Sequence, residues 1–336
     1  MEGKHGLAAR NGYNVVIMNR RKDATDRKLD DAARAGWLYY VAGNTQEDIA
    51  AKLKVSRQTA QRLVSLAVSE GLIRVRLEHS IADCMDLADR LAARFGLDLV
   101  EVVPSDPASA STTLGIAEAV AAEIERRLRS VQPIVLAMGT GRTLKAATDL
   151  LPHMDCPQHR IVSLTGNIGP DGSAAYYNVI FGMADAIKAR HYPFPLPVFA
   201  SSAREKDLLH RQSMIRGPLD LAAKADVTFV GIGEFAPEAP LFVDGFITAT
   251  ELAALKRAGA VGEIVGWAFN ASGKLIEGLT NDRVASAPIP SRDSSLVIAA
   301  AMGARKLPGI AAALANRLVN GLITDEATAK ALLGEG

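Results

Sequence analysis

Five short, almost unbroken apolar runs alternate with stretches of helical spacing between Leu97 and Gly233, and this alternation leaves few folds open. The runs are LDLVEVV, PIVLAM, IVSLTG, LPVFAS and VTFVGIG. Helical spacing lies before and between them, at Cys84–Phe95, Thr113–Leu128, Tyr177–Lys188 and Arg204–Lys224. A strand that is apolar on both faces must be covered on both faces, which antiparallel hairpins rarely achieve and helix crossovers do. The expected body is therefore an α/β domain with a mainly parallel, Rossmann-like sheet. Ligands in such sheets sit beyond the carboxyl ends of the strands.

Three strand ends carry polar loops of interest. In MGTGRTLKAA, Gly139 and Gly141 permit close backbone approach, and Thr140, Arg142 and Thr143 offer donors where a helix begins. That suits phosphate or another anion, although the spacing and ending of a nucleotide P-loop are absent, and a plain strand-to-helix turn is the competing reading. TGNIGPDG, residues 165 to 172, is polar and turn-rich, fit to line a hydroxylated ligand. In AAAMGARKLPGIAAAL, Gly303 ends an apolar run and Lys306 falls just before a helix, able to neutralise a phosphate or simply to sit on the surface. GIGEFAP and VGWAFNASGKLI, which sets Asn270 before a turn, are further pieces that close a pocket, while Asp244-Gly245 reads as a turn.

A different pattern precedes this body. TQEDIAAKLKVSRQTAQRLVSLAVSE, Thr45 to Glu70, reads as two short helices joined by a tight turn at Lys54-Val55. Thr45 caps the first with Asp48 as the box partner, and Ser56 caps the second. Ile49, Ala50 and Leu53 face inward from one helix, and Ala60, Leu63, Val64 and Ala67 from the next. A preceding helix over 26–41 is expected to set Leu29, Ala33, Trp37 and Tyr40 near one face. The outward set is Arg57, Gln58, Gln61, Arg62 and Ser65, side chains able to meet base edges in a major groove. An amphipathic three-helix bundle would show a polar face without any such role. After the helices, GLIRVRLE alternates like a strand or wing and would aim Arg74 and Arg76 at backbone phosphates. The expected DNA-binding set is Thr45, Gln46, Ser56, Arg57, Gln58, Thr59, Gln61, Arg62, Arg74 and Arg76.

Charge agrees with that division. Overall the formal net charge is +1, yet residues 1–80 hold 14 Lys and Arg against 9 Asp and Glu, and the rest hold 24 against 28. A basic head on a mildly acidic body fits a DNA reader joined to a small-molecule domain. The divisions expected are an arm over 1–22, a winged helix-turn-helix over 23–80, and an effector-binding and oligomerisation domain over 81–336. The basic run Arg20-Arg21-Lys22 belongs to the arm. Cys84 and Cys156 have no metal-ligand spacing and read as reduced thiols of a cytoplasmic protein. No run reaches 18 apolar residues, and no signal-peptide order opens the chain. His153, His159, His191 and His210 lack paired ligand spacing, so neither a metal nor a cofactor is expected. No serine elbow or thiol dyad stands out, although a sugar-phosphate isomerase or deaminase with a basic extension needs only a carboxylate, a lysine and a phosphate cradle. An architectural DNA-binding protein with an inert body is a third reading.

Taken in order, these motifs resemble the SorC family of bacterial transcriptional regulators over residues 26 to 334. The resemblance is carried by Leu38-Tyr39-Tyr40, by TQEDIA and SRQTAQRLV in the head, and by MGTGRT, LTGNIGP, VGIG, GEIVGWAFNASG, the Lys306 loop and LITDEATAKALL in the body. It implies a winged helix-turn-helix fused to an effector domain related to sugar-phosphate isomerases, assembled as a dimer or tetramer on double-stranded operator DNA. It further implies control by a sugar, polyol or sugar phosphate. Gly139, Thr140, Gly141, Arg142, Thr143 and Lys306 would match its phosphate-holding positions, with Gly166, Asn167 and Asn270 near the sugar hydroxyls. Position 270 is usually aspartate in that family. An asparagine both donates and accepts, so it suits a different hydroxyl arrangement and favours binding over turnover.

Overall fold

The computed structural model describes residues 27–73, 81–105, 111–174 and 179–335. The chain divides into two compact units, Met1–His79 and Ser80–Gly336.

In the first unit, helix α1 covers residues 27–40, α2 Gln46–Leu53 and α3 Arg57–Ser69. Thr45 Oγ1 accepts the Asp48 N–H at 3.2 Å while the Asp48 carboxylate accepts the Thr45 N–H at 3.0 Å, closing the capping box. Lys54 turns the chain in the left-handed region at φ 56°, and Ser56 Oγ accepts the Thr59 N–H at 3.1 Å to start α3. Ile49, Ala60, Leu63, Val64 and Ala67 meet Ala32 and Ala35 in one core. The inner face of α1 differs from the sequence expectation. Trp37 and Tyr40 are 54% and 42% exposed, and Ala32, Ala35 and Gly36 face inward instead. The cause is close approach: a methyl at Gly36 would stand 2.8 Å from Ala67 Cβ and 2.8 Å from Ile73 Cδ1. Small residues set this helix against its neighbour, and the large side chains are left outside. The expected wing, with Arg74 and Arg76, lies outside the described residues.

In the second unit, α4 (Ala82–Phe95) leads into β1 (Leu99–Val103), and α5 (Ser111–Leu128) into β2 (Val135–Met138). Then come α6 (Arg142–Asp149), β3 (Arg160–Ile168), α7 (Val179–Ile187), β4 (Arg190–Pro197), α8 (Ala203–His210), α9 (Ser213–Ala222) and β5 (Val227–Gly231). After short α10 (Pro240–Val243) and α11 (Ala249–Arg257), β6 (Ala260–Ile264) and β7 (Trp267–Asn270) form an antiparallel hairpin. The chain closes with β8 (Leu296–Ala300), α12 (Leu307–Ala315), β9 (Gly321–Asp325) and α13 (Glu326–Leu333).

Seven strands form one sheet in the order β1-β9-β8-β5-β2-β3-β4, every neighbouring pair parallel. Successive residues of β3 serve opposite sides: Ile161 joins Leu136, Ile124 and Met183, whereas Val162 and Leu164 join Leu91, Ile215 and Ile310. The fourth strand starts earlier than the apolar run LPVFAS suggested. It holds Pro193, Pro195 and Pro197, and a strand with that many prolines is accommodated only at an edge. Winding runs outward from β2 to β3 and β4, then returns to β5 and proceeds the other way to β8 and β9. The reversal falls between adjacent β2 and β5, the place where an open parallel sheet leaves a crevice beyond its strand ends.

Candidate effector crevice and nucleic-acid face

Loops after β2 and β5 flank the reversal. The Gly139 N–H donates to Phe229 O at 2.8 Å, and a Cβ at Gly139 would lie 3.2 Å from both Phe229 O and Val265 Cγ1. Glycine is therefore what lets this loop lie against β5. Gly141 stands at φ 125° as the N-cap of α6 and supplies no side chain to the first amides of that helix. Strand β2 pairs with β3 as far as Met138–Ser163, and the chain then continues through an irregular stretch of β3 that carries Thr165, Gly166 and Asn167 at its carboxyl end. Thr165 Oγ1 and Asn167 Oδ1 are enclosed and have no hydrogen-bond partner among the described residues. Buried polar oxygens seldom go unpaired, and a ligand hydroxyl or water would meet this need.

The β6–β7 hairpin delivers a carboxylate to the same place. Its two-residue turn puts Val265 at φ 47° and Gly266 at φ 91°, a conformation costly for a β-branched residue. Glu263 braces it, Oε2 accepting the Gly266 N–H at 2.7 Å, while Glu263 and Gly233 exchange backbone bonds at 2.9 and 3.1 Å. A methyl at Gly233 would overlap Glu263 Oε1, so the glycine makes room for the carboxyl group. Burial pushes the Glu263 carboxyl up, and the Gly266 N–H and Lys306 oppose that shift. Burial likewise lowers Lys306, against the pull of Glu234 and Glu263 and with the repulsion of Arg142 and Arg305. Arg305 pairs with Glu234 at 3.5 Å and Glu238 at 3.3 Å. Asp244 is raised by burial and lowered by Arg142. Cations and acids thus converge at one mouth: the cations suit an anionic group, and the carboxylates suit neighbouring hydroxyls.

Of the residues expected at an effector, Arg142 of the Gly139–Thr143 loop and Lys306 lie close enough to act on one another's charge, and Gly166 and Asn167 end β3, the neighbour of β2 in the sheet. Asn270 is placed elsewhere. Its Oδ1 accepts from Ser272 N at 3.0 Å, Ser272 Oγ at 2.8 Å and Lys274 N at 3.1 Å, which occupies the amide oxygen in its own turn. The adjoining Gly273 lies against Asn316 at the far end of α12, whereas Lys306 stands at its start. Ten residues of helix span about 15 Å. Glu234, Glu263 and Asp244 went unrecognised as members of the cluster. The only sequence signal was the Gly-Glu pairs in GIGEFAP and GEIVG.

On the head, Gln58, Gln61, Arg62, Ser65, Leu66 and Ser69 line a shallow concavity on the outer side of α3. The Gln58, Gln61, Arg62 and Ser65 side chains are exposed. Arg57 pairs with Glu47 at 2.8 Å, both exposed, a contact weak enough to exchange for a phosphate. Thr45, Ser56 and Thr59 are engaged in helix caps, with Ser56 Oγ and Thr59 Oγ1 2.9 Å apart, and Gln46 opens α2. Among the described residues no cluster of His, Cys, Asp and Glu could hold a metal ion, and no helix is long and apolar enough to cross a membrane. His159 is a core residue, its Nδ1 accepting the Ile134 N–H at 3.2 Å.

Residues 79–334 match the family model described as "Putative sugar-binding domain". The erythritol catabolism regulatory protein EryD of Brucella abortus (strain 2308) is 34% identical over 304 residues, covering 90% of this chain and 96% of that protein. The transcriptional regulator LsrR of Klebsiella pneumoniae (strain ATCC 700721 / MGH 78578) is 33% identical over 315 residues, covering 90% and 92%. The crystal structure of the full-length sorbitol operon regulator SorC from Klebsiella pneumoniae superposes with a TM-score of 0.67 at 22% identity, over 91% of this chain and 99% of that one.

Proposed function

The chain belongs to the SorC/DeoR family of sugar-binding transcriptional regulators, and from that premise we propose that it governs a polyol or sugar catabolic operon through an effector held at the β2–β5 crevice. It is a DNA-binding transcriptional regulator whose family is regulatory and not enzymatic. The observation that carries the effector assignment is the convergence of Arg142 and Lys306 with Glu234 and Glu263 at the point where the sheet reverses. A phosphate or other anionic end would be taken by Arg142, Lys306 and the Gly139–Thr143 loop. Hydroxyls would meet Asn167, Thr165 and the carboxylates. The relative named for erythritol catabolism makes short polyols and their phosphates the first ligands to try. Asn270 has no part in this reading.

The operator would be read by Arg57, Gln58, Gln61 and Arg62 of α3, with Thr45, Gln46, Ser56 and Thr59 near phosphates at the helix starts. Arg74 and Arg76 retain their proposed backbone role. Self-association as a dimer or tetramer would present paired heads to a repeated site. The effector acts by binding one arrangement of subunits better than another, since only differential affinity shifts such an equilibrium.

A thermal-shift screen over polyols, sugars and their phosphates, followed by operator binding with and without each hit, tests the proposal. A ligand that both raises Tm and changes DNA affinity supports it. Stabilisation with unchanged DNA affinity, or no stabilisation across the panel, contradicts effector control at this crevice.

A further inference from the structure

A second concavity of about 540 Å³ lies beside the segments that lead into β8 and β9. Its polar side is the segment Ser291-Arg292-Asp293, which precedes β8, together with Arg317, which follows α12. Its apolar side is the Trp267 ring with Pro288, Ile289 and Leu318. The volume lies in the range of small-molecule sites, about 300 to 1,000 Å³.

Three observations point to an occupant. Arg292 is half-buried, and its Nη1 is enclosed with no hydrogen-bond partner among the described residues, a state in which buried donors are seldom left. Arg317 occupies φ 60° just after the end of α12, a left-handed position where helices ordinarily place glycine. A second guanidinium is thereby set at the rim. The Trp267 ring is oriented by its Nε1–H donating to Ala287 O at 3.0 Å, with the Lys206 ammonium 5.9 Å from its centroid. Asp293 is the acid of the rim, exposed and 3.5 Å from Ser291 Oγ.

We propose that this concavity is a second small-molecule site, distinct from the crevice, for a compact organic anion with a flat apolar body. The carboxylate or phosphate end meets the planar donor forks of Arg292 and Arg317, and the body lies against Trp267 and Pro288. Guanidinium pairs match the bidentate geometry of both anions. The apolar wall disfavours a polyhydroxylated ligand, which separates this specificity from that of the crevice.

Because the chain has two tryptophans, a full-length Trp37→Phe protein reports on Trp267 by fluorescence. Benzoate, phenyl phosphate and benzyl alcohol are the probes: two anionic ends and one neutral body. The expected result is a saturable change with benzoate or phenyl phosphate, at least about tenfold weaker with benzyl alcohol. Which anion binds tighter identifies the end group. Arg292→Met and Arg317→Met are each expected to weaken the anion about tenfold, and Arg317→Met serves if Arg292→Met does not fold. Equal binding of benzyl alcohol, indifference to both arginine variants, or no saturable change up to about 10 mM overturns the proposal. So does an absence of probe binding with a lower sedimentation mass for Arg317→Met, which would assign the face to a second copy of the chain.

Discussion

Replacing Lys306 with methionine removes the ammonium while keeping an apolar stem of similar length. A phosphate about 4 Å from that ammonium gains about 4 kcal/mol at an effective dielectric near 20. Lys306 is only partly enclosed, and its cavity already holds Glu234 and Glu263, so half of this is a fair expectation after screening. About 2 kcal/mol is roughly 30-fold in Kd. Calorimetric titration of Lys306→Met with a phosphorylated ligand and its unphosphorylated parent measures the difference directly. The phosphorylated compound should lose roughly 30-fold and the parent less than about threefold. Equal losses would refute the electrostatic argument. The pH dependence has a definite sign: the charged form binds the anion, so affinity is present below the Lys306 pKa and fades as pH rises through it. Burial has lowered that pKa, so the decline starts at lower pH than for an exposed lysine, and Lys306→Met abolishes it.

Arg57→Ala combined with Arg62→Ala should eliminate operator binding in gel-shift titrations and leave effector affinity intact; retained DNA affinity would remove α3 as the reading helix. Gly233→Ala should displace the Glu263 carboxyl, costing about 1 to 3 kcal/mol in denaturant melts and weakening effector binding, whereas an unchanged midpoint would mean the hairpin moves aside freely. Gly36→Leu should destabilise the head by about 1 to 3 kcal/mol through contact with Ala67 and Ile73, read as faster proteolysis within residues 27–73 with the body's ligand response preserved.

What could be read from the chain beforehand depended on how local the determinant was. The caps at Thr45 and Ser56 are settled by residues three positions apart, and both form as their spacing demands. The apolar runs around Val135 and Val227 announce strands because nothing else buries such segments on both sides. On α1 the expected face holds only in part: Leu29 and Ala33 are half-buried, but Trp37 and Tyr40 turn outward because the close crossing at Gly36 admits only small residues. Asn270 attracted a ligand role by its place in a motif, yet its oxygen is spent on three donors within four residues. Glu263 was unreadable for the opposite reason. Its partners, Gly233 and Lys306, stand 30 and 43 positions away, and only the strand order brings them together.

The prolines of β4 reach further than local geometry. Residues at positions 193, 195 and 197 carry no amide proton, and alternate positions of a strand point to the same side. The outer rim of the sheet there can offer acceptors to an incoming strand, but no matching row of donors. Growth of the sheet from one copy into another by strand pairing is therefore disfavoured along this margin.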